Sequence, residues 1–159
     1  MTRAAVITVS DRSAEGARPD ASGPIAVSAL REAGFDCADA VVVPDGADSV
    51  ERALTAEVVA GVKLIVTTGG TGASPRDQTP EGTARVVTRQ VPGIAEELRR
   101  RGAAEKPAGM LTRGIAGVVD PHGALVVNLP GSPGGVTDGM PVVLSVAHHL
   151  LDQLGGGDH

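Results

Sequence analysis

Apolar residues along the chain fall into two patterns: short continuous runs rich in Val, Ile and Leu, and longer stretches in which they recur every three to four residues. The first predicts buried strands, the second amphipathic helices, and their alternation is the signature of an α/β fold with a largely parallel sheet. "AAVITVS" (4–10) predicts the first strand. A polar loop leads to a helix in "PIAVSALREAG", with Pro24 in its first turn and Gly34 as its stop. "CADAVVVPD" (37–45) predicts a second strand, ended by Pro44. Asp48, with Glu51 three residues on, forms a capping-box pattern ahead of the next helix. "VKLIVTT" (62–68) is apolar almost throughout, as expected of a strand covered on both faces.

Beyond it, Thr79 reads as a helix N-cap with Pro80 in the first helical position and Glu81 near the positive helix end. "PGIAEELRRRG" predicts another short helix. Apolar runs at roughly 115–119 and 124–128, joined by the turn sequence "DPHG", predict a hairpin, an antiparallel element in a mostly parallel sheet. "MPVVLSVAHHLLDQL" is apolar at helical spacing, and "GGGDH" after it is expected to fray. No repeat or linker divides this pattern, so 1–154 is expected to form one domain and 155–159 a flexible tail.

Composition narrows the picture. A chain of 159 residues buries roughly 70% of the surface its unfolded form exposes, enough for a core without staples. That core has to be aliphatic, because Phe35 is the only Phe, Tyr or Trp. The single cysteine, Cys37, allows no internal disulfide and suits a reducing compartment, which makes the cytoplasm the expected location. The N-terminus turns polar too soon for a signal peptide, and no apolar run approaches the ~20 residues that span a bilayer. A net charge of -5 with almost no aromatic side chains argues against nucleic acid as a partner. The one basic run, Arg99 to Arg101, is expected to decorate a solvated helix end.

The unusual residues gather at the ends of predicted strands. "SDR" (10–12) follows the first, "PDG" (44–46) the second, "GGTGASPRD" (69–77) the third and "LPGSPGG" the last. In an open α/β sheet the ligand crevice lies outside the carboxyl ends of the strands, so parallel strands would bring these loops to one rim. The glycine loop is neither a Walker loop, lacking Gly-Lys-Ser/Thr, nor a dinucleotide fingerprint, lacking the third glycine. Gly69, Gly70 and Gly72 do permit positive φ and close approach of backbone N–H groups to an anion such as phosphate. Asp77 and Asp45 beside such a cradle would repel phosphate oxygens unless a hard cation such as Mg²⁺ intervenes. Arg76 or Arg12 is a second source of positive charge. Each acid also suits a plainer role, Asp77 in capping the helix at Thr79 and Asp45 in an Asx turn after Pro44. Asp20 and Ser22 fit helix capping better than ligand contact. His148 and His149 point about 100° apart on a helix and cannot chelate one metal.

"TTGGTGASPRDQTPEGT", with "VSDR", "DASGP", "VVPDG" and "LPGSPGG" in order around it, resembles the signature of the molybdenum-cofactor biosynthesis domain across essentially the whole chain. Within that superfamily the chain is similar to the Mog-type molybdopterin adenylyltransferases. The resemblance implies a three-layer αβα sandwich, a homotrimer, and Mg²⁺-dependent reaction of ATP with molybdopterin to give adenylyl-molybdopterin and pyrophosphate. Contact with a molybdenum insertase is a further implied partnership. By motif, the family's catalytic and metal-associated aspartates fall on Asp45 and Asp77, and its nucleotide contacts on Gly69, Gly70, Thr71 and Gly72. Its pterin contacts fall near Ser10, Asp11, Arg12 and Ser132. Gln78 and Gly82 depart from the pattern, where an aliphatic residue and alanine are usual; Gly82 in a first helical turn would cost ~1 kcal/mol against Ala. Rival readings are a MoaB-type protein and a non-catalytic molybdopterin-binding or scaffold module.

Overall fold

The computed structural model describes residues 1–157. In chain order the elements are β1 (Arg3–Val9), α1 (Asp11–Ala14), α2 (Gly23–Glu32), β2 (Asp36–Cys37), β3 (Val41–Val43), α3 (Ala47–Val59), β4 (Leu64–Thr68) and α4 (Thr79–Ala84). There follow β5 (Arg89–Gln90), α5 (Pro92–Glu105), a 3-10 helix (Pro107–Leu111), β6 (Ala116–Val119), β7 (Ala124–Leu129) and α6 (Pro133–Leu154). The strands form one sheet in the order β2-β1-β4-β7-β6-β5, with β3 also on β1. β2, β3 and β4 run parallel to β1, and β7 parallel to β4, whereas β6 is antiparallel to both β7 and β5.

Strand alternation divides the core in two. Leu64, Val66, Leu125 and Val127 face the layer of α2, α5 and α6 and pack with Leu30, Phe35 and Met140. Ile65, Val126 and Ile7 face the opposite way and pack with Val50, Leu54 and Val58 of α3. Helices therefore cover both faces, giving the three-layer αβα sandwich with a mostly parallel sheet and an antiparallel β6–β7 hairpin. Every residue of β4 and β7 is buried, which is why both read as nearly continuous apolar runs, interrupted only by Thr67, Thr68 and Asn128. Phe35 stacks on the His148 ring with centroids 4.7 Å apart, so one histidine of the pair packs against the core. Cys37 is buried, and burial holds its thiol above the usual range. No helix among the described residues is long and apolar enough to cross a membrane.

Local expectations failed where distant segments supply the hydrogen bonds. The strand expected over 37–45 is two short pieces on β1, separated where Arg31 donates to Cys37 O at 2.8 Å and pairs with Asp39. Asp48 is not a cap: Gly46, at φ +120° and two residues ahead of it, is the N-cap of α3, and the Ala47 N–H is capped from afar by Gln78 Oε1. Asp48 and Glu51 instead converge on Arg85. Thr79 lies inside α4, and its hydroxyl donates to Gly69 O at 2.9 Å. α6 begins seven residues before Met140, because Ser132 Oγ accepts from Gly135 N and Pro133 opens the helix. Gly155, Gly156 and Gly157 donate back to carbonyls of the last turn of α6, and residues 158 and 159 of the expected tail lie outside the described residues. In the basic run, Arg100 and Arg101 do sit on the surface with Glu97, while Arg99 turns inward to the carbonyls of Thr112 and Gly114.

Gly82 is required by packing. A Cβ there would lie 2.6 Å from Ala47 O and 2.8 Å from Val50 Cβ, where α3 crosses α4. Gly82→Ala should therefore destabilise the protein by about 1–3 kcal/mol despite alanine's better helix propensity. Thermal unfolding reads this directly; an unchanged or higher Tm would mean that α3 and α4 separate at little cost.

Candidate active site

β1, β3, β4 and β7 are mutually parallel and end on one rim of the sheet, as the clustering of unusual residues required. A cleft of about 420 Å³ opens there, within the size range of small-ligand sites. Its walls come from all four strand ends: Ser10 after β1, Asp45 after β3, Gly69 to Gly72 and Asp77 after β4, and Gly131 after β7. The rim loops are tied together, since Ser22 Oγ donates to Gly131 O at 2.9 Å. Asp20 accepts from Thr8 Oγ1 and from Gly23 N, a capping role at the start of α2.

The glycine loop has one defined orientation. Gly69 (φ +93°) presses so closely on β1 that a Cβ would lie 2.3 Å from Val9 O. Its N–H continues the ladder to Leu129 O, and its carbonyl accepts from Thr79 Oγ1. Gly70 O accepts from Thr79 N, Thr71 O from Arg113 N, and Gly72 O from Arg113 Nε. Four successive carbonyls are thus held by α4 and Arg113. A trans peptide directs its N–H opposite to its C=O, so the N–H groups of Gly70, Thr71 and Gly72 point away from those anchors. They have no acceptor among the described residues. A row of free donors is the kind of group that can cradle an anion.

The two aspartates flank this cradle. A Cβ on Gly70 would stand 3.2 Å from Asp45 Oδ1, and one on Gly72 would stand 2.8 Å from Asp77 Oδ2. Neither acid serves its plainer role. Asp45 Oδ2 accepts from Asp11 N at 3.0 Å, far away in sequence, and Asp11 Oδ1 returns the bond from Asp45 N. The residue preceding α4 is Gln78, while Asp77 Oδ2 accepts from Ser74 N. The Arg76 guanidinium forks onto Asp11, which lies below the ordinary carboxylate range because of that hydrogen bond, and its Nη2 also donates to Asp45 O at 2.9 Å. Arg113 is paired with Glu81. Asp45, whose carboxylate forms no ion pair among the described residues, is pushed upward by burial and further by the charges of Asp11 and Asp77, with the nearby Arg76 charge only partly opposing them.

Two carboxylates flanking free N–H donors suit a hard cation such as Mg²⁺ with phosphate oxygens, and Asp45 and Asp77 are the side chains that would hold the ion. The other expected residues take different positions. Ser10 lines the cleft while capping α1 through Oγ, whereas Asp11 supports Asp45 from behind. Arg12 on α1 is exposed outside the lining, and Ser132 spends its hydroxyl on α6. Arg18, which sequence reading passed over, is the one cationic side chain on the wall, and it makes no ion pair among the described residues. Its loop carries no pattern that distinguishes it from solvent-exposed chain.

A family model described as a "Probable molybdopterin binding domain" matches residues 5–149. The chain belongs to the molybdenum-cofactor biosynthesis family. A solved structure of the molybdopterin biosynthesis Mog protein from Mycobacterium ulcerans is 46% identical, with a TM-score of 0.90 over 97% of this chain and 99% of that one. The molybdopterin biosynthesis enzyme MoaB of Thermus thermophilus is 38% identical, with a TM-score of 0.89 over 98% of each. Among curated relatives, the molybdopterin adenylyltransferase of Pyrococcus furiosus is 36% identical over 92% of this chain and 87% of its own length. The molybdenum cofactor biosynthesis bifunctional protein of Synechococcus elongatus is 38% identical over 98% of this chain. This chain spans about half the length of that bifunctional protein, 48% of it.

Proposed function

We propose that this protein adenylylates molybdopterin: the terminal phosphate of the pterin attacks the α-phosphorus of ATP, a new phosphoanhydride bond forms, and pyrophosphate leaves. What carries the reading is the loop whose anchored carbonyls free the N–H groups of Gly70, Thr71 and Gly72 between two acids whose carboxylates form no ion pair among the described residues. A phosphate monoester is largely ionised at pH 7, so the nucleophile needs no strong base, and catalysis reduces to positioning and charge neutralisation. The free N–H groups bind the triphosphate. Mg²⁺ when bound supplies positive charge to phosphate oxygens. Asp45 and Asp77 fix where that charge sits, and Asp11, kept ionised and immobile by Arg76, holds Asp45 through its backbone. Arg18 provides the remaining positive charge on the wall. Association as a homotrimer belongs to the same reading.

A MoaB-type protein is the second reading, favoured by the likeness to the Thermus structure, and a non-catalytic molybdopterin-binding or scaffold module is the other alternative. One assay separates them: protein with molybdopterin, ATP and Mg²⁺, following adenylylated pterin and pyrophosphate. Product that disappears with EDTA and with Asp77→Ala is the expected result. Tight pterin binding with no ATP-dependent product would replace the proposal with the binding or scaffold reading.

A further inference from the structure

Arg113 stands outside every motif singled out in the sequence, 41 residues beyond Gly72, between the 3-10 helix and β6. Its hydrogen bonds nevertheless gather on the glycine loop. Nε donates to Gly72 O at 2.8 Å, Nη2 donates to Asp77 O at 2.7 Å, and its own N–H donates to Thr71 O at 2.8 Å. The guanidinium thus spans both ends of the 72–77 segment, which carries one of the two acids and has no helix or strand of its own. Glu81 on α4 holds the opposite side of the fork at 2.7 Å and sits below its usual range because of that pairing.

The backbone carrying Arg113 is braced in turn. Arg99 Nη1 donates to Gly114 O at 2.9 Å on one side and to Thr112 O on the other. Next along, Ile115 and the side chain and backbone of Asn128 exchange two hydrogen bonds, and Asn128 Nδ2 donates to the buried hydroxyls of Thr67 and Thr83. A rigid network from the centre of the sheet therefore ends on the loop that presents Asp77.

We propose that Arg113 is a positioning residue that sets the Asp77 carboxylate and the Gly72 N–H in register with each other. The proposal rests on the adenylyl-transfer reading of the same cleft, and it adds the device that keeps the acid and the anion cradle aligned. A planar fork can hold two carbonyls at once, whereas an ammonium is a single compact charge, so lysine cannot replace it. The Arg113 side chain is 39% exposed and its carbonyl partners lie near water, so losing the fork opens no core cavity. A structural role alone would thus have little effect at a distance, while a positioning role affects the loop and the rate.

The test compares wild type, Arg113→Lys and Glu81→Gln by hydrogen–deuterium exchange and by turnover. In Arg113→Lys, the hydrogen-bonded amides of Ser74 and Asp77 should exchange at least fivefold faster while those of β7 keep their protection and Tm stays within about 3 °C. Its kcat should fall 10- to 100-fold with the KM for molybdopterin changing less than threefold, and Glu81→Gln, which leaves the carbonyl bonds in place, should show a smaller change in both. Unchanged exchange at Ser74 and Asp77 overturns the clamp. Faster exchange with unchanged kcat overturns the positioning role. Absence of product from wild type would fail the adenylyl-transfer reading instead, and the exchange comparison, which needs no substrate, would still decide the clamp.

Discussion

Asp45→Asn should lower adenylyl transfer by at least two orders of magnitude and raise the Tm at pH 7.5 by about 1–4 °C, the scale expected for one charge placed for the transition state and for relief of one unfavourable ionisation. The opposed signs come from the surroundings of the carboxylate. Burial, and then the charges of Asp11 and Asp77, disfavour its ionised form. Its folded pKa lies above its unfolded value, so the folded state binds more protons between the two. That contribution to stability is fully present below the unfolded pKa and is lost as pH rises through the folded one. Asparagine keeps the hydrogen bond from Asp11 N and mimics the neutral form, so it avoids the loss. The Tm gap over wild type should therefore close as pH falls toward 4. Wild-type turnover should fall on the acid side at a higher pH than an ordinary carboxylate would give. A variant that retains turnover, or whose Tm gap is independent of pH, would remove Asp45 from the chemistry or from the electrostatic account respectively.

Gly70→Ala should cost about 2–4 kcal/mol of stability and reduce turnover at least 100-fold, combining a left-handed backbone penalty with overpacking. Gly70 holds φ +68°, and its added Cβ would lie 2.2 Å from Thr79 Oγ1 and 3.2 Å from Asp45 Oδ1. Moving Thr79 releases the carbonyls of Gly69 and Gly70 and with them the direction of the next N–H groups. ATP affinity by calorimetry and Tm measure the two parts separately. Gly93→Ala is the control, since a Cβ in that helical position meets nothing within 4 Å. Equal behaviour of the two variants would mean that the loop tolerates a side chain and does not depend on its anchored geometry.

Hydrophobic periodicity and charge placement carried most of the site's outline. β4 and β7 were legible because strands buried on both faces must be apolar at nearly every position. Asp45 and Asp77 stood out because acids beside a glycine loop need a counter-charge, and both line the same cleft with it. These signals are local: each is written in a stretch of fewer than about ten residues and survives whatever the rest of the chain does. The sequence by itself thus determined the α/β class, the strand-end loops and the pair of acids.

Only the tertiary structure decided which groups meet. β2 and β3 share one edge of β1, Arg76 serves Asp11 across 65 residues, Gly82 makes room for α3, and Arg113 holds the far side of the glycine loop. Helix starts moved for the same reason, as Gln78 caps α3 from 31 residues away. An arginine can reach several acceptors and a glycine can suit many turns, so residue type leaves their partners open until the sheet sets which segments lie side by side. Periodicity records whether a side chain is buried, whereas hydrogen-bond partners depend on distances between chain segments that no local pattern encodes.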